Sequence, residues 1–238
     1  MKNKKTIIFD PKSENVSVIL NYPKPSKTFL PEWYKKIPPF SNGDKKIKFP
    51  IGAGMPNSTL KKCVPFLDAM SSGYMAYLEE DIYVEQIDGQ PFIRWRSNDE
   101  IITWHTPDQF PGFPIPTTYH TMVAKWTNLW VITLPKNYSI LYSHPLNRLD
   151  LPFFTLSGLV NADKWQNAVQ FPFILKLGFE GIIEAGTPIC QLNIIKNESW
   201  KTKVLKYSAE RSYYNSKMFL KTFVGSYKKN FWTKHIYD

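Results

Sequence analysis

The chain is poor in the residues that most often carry chemistry. Its 238 residues include only two cysteines, Cys63 and Cys190, and four histidines, His105, His120, His144 and His235. Neither cysteine has a second ligand at metal spacing. Both lie in apolar contexts and read as buried, reduced thiols, which suits a cytoplasmic protein. His105-Thr-Pro-Asp108 is not the His-x-Asp of iron oxygenases, and no His-x-His occurs. There is no Gly-x-Ser-x-Gly elbow, and Gly52-Ala-Gly54 is too short for a phosphate-binding loop. No stretch approaches 18 apolar residues, and no long apolar region follows Met1-Lys-Asn-Lys-Lys-Thr. Neither a membrane span nor a secretory signal is therefore expected. Nothing calls for a metal, a cofactor or a membrane.

Aromatics and core-forming residues are abundant. Aromatic residues make up 16% of the chain and hydrophobic residues 43%, so a large core is available and disorder is excluded. The net charge of +10 is placed unevenly. Residues 1–49 hold 11 basic and 4 acidic side chains, residues 196–238 hold 10 and 3, and residues 50–195 hold 9 and 13. Two basic ends on an acidic body suit termini that meet nucleic acid or an acidic protein face. The alternative is a lysine-rich bias of the solvated surface. Lysine far outnumbers arginine and reads bases less well, which favours the surface bias over nucleic acid.

Short apolar runs fill the centre of the chain and are punctuated by Pro, Asn, Asp and Gly. Between Tyr138 and Ile195 these runs are Ser139–Tyr142, Phe153–Leu156, Phe171–Leu177 and Ile189–Ile195. Each has the length of a strand. Upstream, Tyr74–Leu78, Ile82–Gln86, Phe92–Arg96 and Ile101–His105 read the same way, with a hairpin turn at Asp88-Gly89. Met122–Leu134 reads as one long strand, and Gly158–Trp165 as a hairpin. Glu184-Ala-Gly186 with Thr187-Pro188 is a turn. This pattern predicts a mainly β protein, an antiparallel barrel or sandwich, and not a βαβ fold.

Around this centre, residues 1–57 form a basic peripheral arm with strand candidates at Thr6–Phe9 and Val16–Leu20, a short helix at 31–37, and a loop at Lys45–Asn57. Residues 58–195 are the β domain. Residues 196–238 are a basic extension whose helix, capped by Ser208, packs Tyr214, Met218 and Phe223 on that domain.

The order Gly158-Leu-Val-Asn161-Ala-Asp163, then an apolar strand, then Ile183-Glu-Ala-Gly186-Thr-Pro-Ile189-Cys-Gln191-Leu192 resembles the dUTPase/dCTP-deaminase superfamily. That family has a β-clip core, a Gly-Val-Ile-Asp-x-Asp-Tyr hairpin and a Gly-Asp-Arg-Ile-Ala-Gln-Leu strand. Leu134-Pro-Lys-Asn-Tyr138 through Ser143-His144-Pro145 is similar to the strand leading to its Arg-Ser-Gly phosphate motif, and Ser72-Gly73-Tyr74-Met75 to its Ala-Gly-x-Asp first motif. The chain as a whole also resembles proteins found in phage and bacterial genomes.

The resemblance implies a β-clip-like fold with degraded catalytic motifs. Asn161 stands where the family has its water-activating Asp, and an amide is no general base. Met75 replaces the first-motif Asp, His144-Pro145 the Arg-Ser pair, Lys164 the base-stacking Tyr, and Lys176 lies near the position of a deaminase Glu. What survives is a polar cluster of His144, Asn147, Arg148, Asp150, Asn161 and Asp163, which the resemblance places around a nucleotide cleft. Arg148 could hold a phosphate or carboxylate, and Asn161 a base edge. Read from the residues alone, the Asn and Asp members are also ordinary turn formers.

The expected function is a non-catalytic binding or assembly module, with a nucleotide or another acidic small molecule, or a second copy, as partner. An enzyme with relocated catalytic groups and a virion structural or decoration protein are the alternatives. The expected location is the cytoplasm, or the virion for a phage protein.

Overall fold

The computed structural model describes residues 5–12, 21–41, 59–221 and 226–238. The strand candidate Val16–Leu20 and the loop Lys45–Asn57 lie outside the described residues. Every strand pair described is antiparallel, and the strands form several sheets with no closed barrel. The fold is mainly β, a sandwich with a C-terminal helix.

One layer is a five-stranded sheet in the order β11-β9-β14-β3-β2. Its strands are β2 (Lys24–Pro25), β3 (Tyr74–Tyr77), β9 (Tyr138–Ser143), β11 (Gly158–Val160) and β14 (Pro188–Lys196). Facing it is a four-stranded sheet in the order β10-β12-β7-β6. It comprises β6 (Ile102–Trp104), β7 (Tyr119–Trp126), β10 (Phe153–Thr155) and β12 (Phe171–Lys176). A three-stranded sheet, β13-β4-β5, joins β4 (Ile82–Ile87), β5 (Gln90–Arg94) and β13 (Gly181–Ile183). Finally β1 (Ile8–Pro11) pairs with β8 (Trp130–Thr133).

The core lies between the two larger sheets and is aromatic. Trp126 of β7 stacks on Phe173 of β12, with ring centroids 3.8 Å apart and planes 8° apart. Phe153 of β10 meets Trp126 edge-on at 5.1 Å. Tyr142 of β9 reaches across the layers to Phe171 of β12 at 5.4 Å. The pairs follow from side-chain alternation, since residues two apart on a strand share a face. Such contacts add to the burial of large apolar area.

A helix is tied to the five-stranded sheet through Gln191 of β14, whose amide donates to the carbonyls of Ala69 and Ser72. The short helix α1 (Glu32–Lys36) follows Pro31, and α2 (Val64–Ser71) has Pro65 in its first turn, where a missing N–H costs nothing. Helix α2 ends at Gly73, which has φ +67° and lies against the backbone of Leu192 in β14. The helix α3 (Ala209–Lys221) and the short α4 (Ser226–Asn230) complete the fold. No described helix is long and apolar enough to cross a membrane.

The turn at Asp88-Gly89 joins β4 to β5 as expected, both residues having positive φ of 51° and 73°. The Gly186 turn also forms, with the Gly186 N–H donating to Leu78 O at 2.8 Å. Four expectations need correction. Met122–Leu134 is two strands in different sheets. Asn128 interrupts it: its side chain donates to Trp130 O and accepts from Trp130 N–H, replacing ladder bonds. Gly158–Trp165 is not a hairpin. β11 pairs with β9 instead, and the Asn161 carbonyl then accepts from the N–H groups of Lys164 and Trp165 to form a turn. Cys190 is fully buried, but Cys63 is exposed at the start of α2.

The fourth correction concerns the tail. Tyr213 and Tyr214 of α3 stand in solvent, not on the β domain. Phe223 and the side chain of Met218 lie outside the described part. The last residues dock instead. Trp232 Nε1–H donates to Asp68 Oδ2 at 2.7 Å, and Tyr237 packs edge-on against Tyr74 at 5.9 Å. Lys27 Nζ donates to the Tyr237 carbonyl.

The cysteines make the fold testable by titration. A thiol reagent should modify one thiol, Cys63, in the native protein and a second only on unfolding. Burial pushes the Cys190 thiol far above its ordinary value, removing the reactive thiolate. Two fast thiols in the native state would contradict the placement of β14 in the core.

Candidate functional site

The six candidate residues divide between two ends of β9. His144, just past the end of this strand, is five positions after Ser139, roughly 16 Å at the usual rise. His144, Asn147, Arg148 and Asp150 lie beyond its C-terminal end. Asn161 and Asp163 lie beside its start, because β11 runs antiparallel with Val160 opposite Ile140.

The first group is closed on itself. His144 is buried, accepts at Nδ1 from the Thr155 N–H at 3.2 Å and has Nε2 at 3.0 Å from the Arg148 carbonyl. With Nδ1 accepting, the proton of the neutral ring is on Nε2, donating to that carbonyl. The ring also stacks on Phe154 at 4.6 Å. Asn147 has φ +62° and serves the turn. The Arg148 guanidinium grips Asp150 through Nε and Nη2, both at 2.9 Å, and Nη1 reaches the Phe29 carbonyl at 3.4 Å. Although partial burial opposes ionisation of Asp150, the Arg148 fork holds its carboxyl below the usual value. Little of this fork remains for a phosphate. These residues fasten the loop after β9 to β10 and to the segment before α1.

Burial lowers the His144 pKa below 6.5, since desolvation disfavours the imidazolium. Unfolding therefore takes up a proton at His144 when the pH lies between the lowered value and 6.5. Stability from this group is complete above 6.5 and is lost as pH falls below it. Burial lowers His120 in the same direction. Denaturant unfolding across this range should show stability declining with acid, with a shallower slope in His144→Gln. An unchanged slope in the variant would contradict the neutral assignment.

The second group borders an opening. Asn161 Oδ1 accepts from Ser139 Oγ at 2.9 Å, and Ser139 Oγ also lies 2.8 Å from Asn197 Oδ1. Asp163 Oδ2 accepts from the Asn137 N–H at 2.8 Å, fixing the turn before β9. Asn161 is exposed, and its Nδ2 meets no acceptor among the described residues. It lines a cleft of about 600 Å³ with Lys164, Trp165 and Gln170 among the walls. Trp165 is half exposed, and Leu159, Val160 and Val169 give the lining its apolar part. Gln170 Oε1 accepts from Asn128 N–H, which orients its amide. An aromatic face, a cation and amide groups together suit a flat ligand with negative charge.

Other polar and apolar side chains singled out in the sequence have structural duties here. Met75 is buried in the core. Lys176 Nζ donates to the Leu149 carbonyl at 3.0 Å. His105 Nδ1 lies 2.8 Å from Gln109 Oε1. Among the described residues no group of three His, Cys, Asp or Glu side chains converges to hold a metal ion. The cleft residues Lys164, Trp165 and Gln170 were not singled out as ligand-binding from sequence. The available signal was Trp165 itself, a large aromatic placed in a turn among polar residues. No family model matches the chain, and no curated protein sequence matches it.

Proposed function

We propose that the protein is a non-catalytic binding module, a β-clip-like relative of the dUTPase core that has kept a ligand cleft and lost the chemistry. One observation carries this reading: the polar groups a hydrolase would need are engaged in structural hydrogen bonds, while the cleft beside β11 offers Trp165, Lys164 and Asn161. The ligand class is a planar anion of the nucleotide kind. Trp165 stacks on the ring, Lys164 meets the charge and the Asn161 amide donates to an acceptor on the ring edge.

Quenching of tryptophan fluorescence by dUTP and other nucleotides tests it. Saturable quenching is expected, weakened about tenfold or more in Trp165→Ala, because base–aromatic stacking is worth roughly 1–3 kcal/mol. Stability should change little, since the removed ring is half exposed. Quenching that never saturates, or is indifferent to Trp165→Ala, would reject the site.

A further inference from the structure

We propose that residues 197–217 of one copy lie across the exposed face of the β13-β4-β5 sheet of a second copy. This concerns a different surface from the cleft, and neither reading depends on the other.

The segment is apolar where it should be covered. Residues 197–208 have no regular structure, and α3 follows. Trp200 and Val204 are 85% and 90% exposed, and Leu205, Tyr207, Tyr213 and Tyr214 also stand in solvent. Scattered surface apolar residues need no explanation, but six within one short stretch mark an interaction surface. Lys201, Lys203, Lys206 and Arg211 lie among them.

The receiving face follows from strand alternation. Ile82 and Val84 of β4 and Ile183 of β13 turn into the core. Tyr83, Glu85 and Ile87 of β4 therefore share the outer face with Phe92 and Arg94 of β5 and Ile182 of β13. The register places Ile182 beside Tyr83 and Phe92 beside Glu85. Ile87, Phe92 and Ile182 are each about half exposed. Both β5 and β13 are edges of this sheet among the described residues, so the extended segment also has backbone groups to pair with.

Charge selects the occupant. Asp88, Asp99, Glu100, Glu180 and Glu184 flank these strands and are exposed. Residues 50–195 hold 13 acidic against 9 basic side chains, whereas residues 196–238 hold 3 against 10. The face also holds Arg94, paired with Glu85, and Arg96, bonded to Tyr83, but the acidic side chains around it outnumber them, so it complements the basic aromatic segment. Reach argues for a second copy. The segment leaves from the far end of β14, about 26 Å from the three-stranded sheet at the usual rise. Within one copy Trp200, Val204 and Tyr207 stand in solvent and not on that sheet, so a second copy is the occupant. Beyond α4, Trp232 is pinned to α2. Reciprocal docking closes a two-fold dimer.

Sedimentation of the full chain at low and high salt tests the proposal. The protein should be dimeric at low salt and dissociate as salt screens the contact. The triple variant Lys201→Glu, Lys203→Glu, Lys206→Glu should weaken the dimer about tenfold or more, as should Phe92→Asp. A second triple variant, Asp99→Lys, Glu100→Lys, Glu184→Lys, should weaken the dimer to a similar degree alone but should pair with the first when the two are mixed. That rescue excludes misfolding as the cause. A monomer at every concentration, or a dimer indifferent to both triple variants, would overturn the proposal. So would binding of single-stranded DNA through these lysines with the mass of the free protein unaffected.

Discussion

Gly73→Ala should destabilise the protein by about 3 kcal/mol or more. A Cβ at this position would lie 2.0 Å from the Leu192 carbonyl oxygen and 2.9 Å from its carbon. Both are backbone atoms of the central strand β14, so neither can swing aside. Gly73 also has φ +67°, where an L side chain is strained. Left-handed strain costs roughly 1–3 kcal/mol, and overpacking a filled site typically costs another 1–3 kcal/mol. The urea midpoint of the variant should fall sharply with its slope little changed. A midpoint equal to that of the parent would mean that α2 does not enter β3 in this way.

Gln191→Leu should cost a comparable amount, for a polar reason. Gln191 is fully buried, and its side chain joins three segments. Nε2 donates to the carbonyls of Ala69 and Ser72, both at 2.8 Å, satisfying the end of α2. Oε1 accepts from the Leu146 N–H at 2.9 Å, fixing the loop that carries Arg148. Leucine fills similar space but leaves the Leu146 N–H and the Ser72 carbonyl without partners, while the Ala69 carbonyl keeps Ser72 Oγ at 3.2 Å. Each group left unpaired costs about 1–3 kcal/mol, so a total of roughly 2–6 kcal/mol is expected. Gln191→Glu should fail too, because it keeps the acceptor, loses the donor and buries a charge. Near-parental stability in Gln191→Leu would show that water replaces the amide.

Gln191 also marks how far the sequence could be read. The strand Ile189–Ile195 and the turn before it were legible, because an apolar run between Gly-Pro punctuation and polar residues has few other outcomes. The hairpin at Asp88-Gly89 was legible for the same local reason. Met122–Leu134 was not, because the break depends on Asn128 bonding its own neighbour and on Gln170, 42 residues away. Short runs fix strands but not which strand each one pairs with, so the pairing of β11 with β9 could not be told from a hairpin within Gly158–Trp165.

The site was less legible than the fold. His144, Arg148 and Asp150 carry the residue types that bind anions, yet each is satisfied locally, by Thr155 and by one another. Composition cannot distinguish a residue that awaits a ligand from one that already has its partner. The tail misled in the opposite sense. Helical spacing of Tyr214 and its neighbours implied packing on the same chain, whereas the residues that return are Trp232 and Tyr237. Amphipathic spacing shows that a face wants cover but not which molecule provides it.

Phosphorus NMR of dUTP in the presence of the protein and Mg²⁺ tests binding without turnover, both halves at once. Saturable broadening or shift of the triphosphate resonances is expected, diminished in Lys164→Glu, with no pyrophosphate signal after prolonged incubation. The Asn161 amide is no general base, and the absence of a general base alone typically costs 10²–10⁴-fold in rate. Pyrophosphate growing in at an ordinary enzymatic rate, or resonances unmoved at every protein concentration, would contradict it.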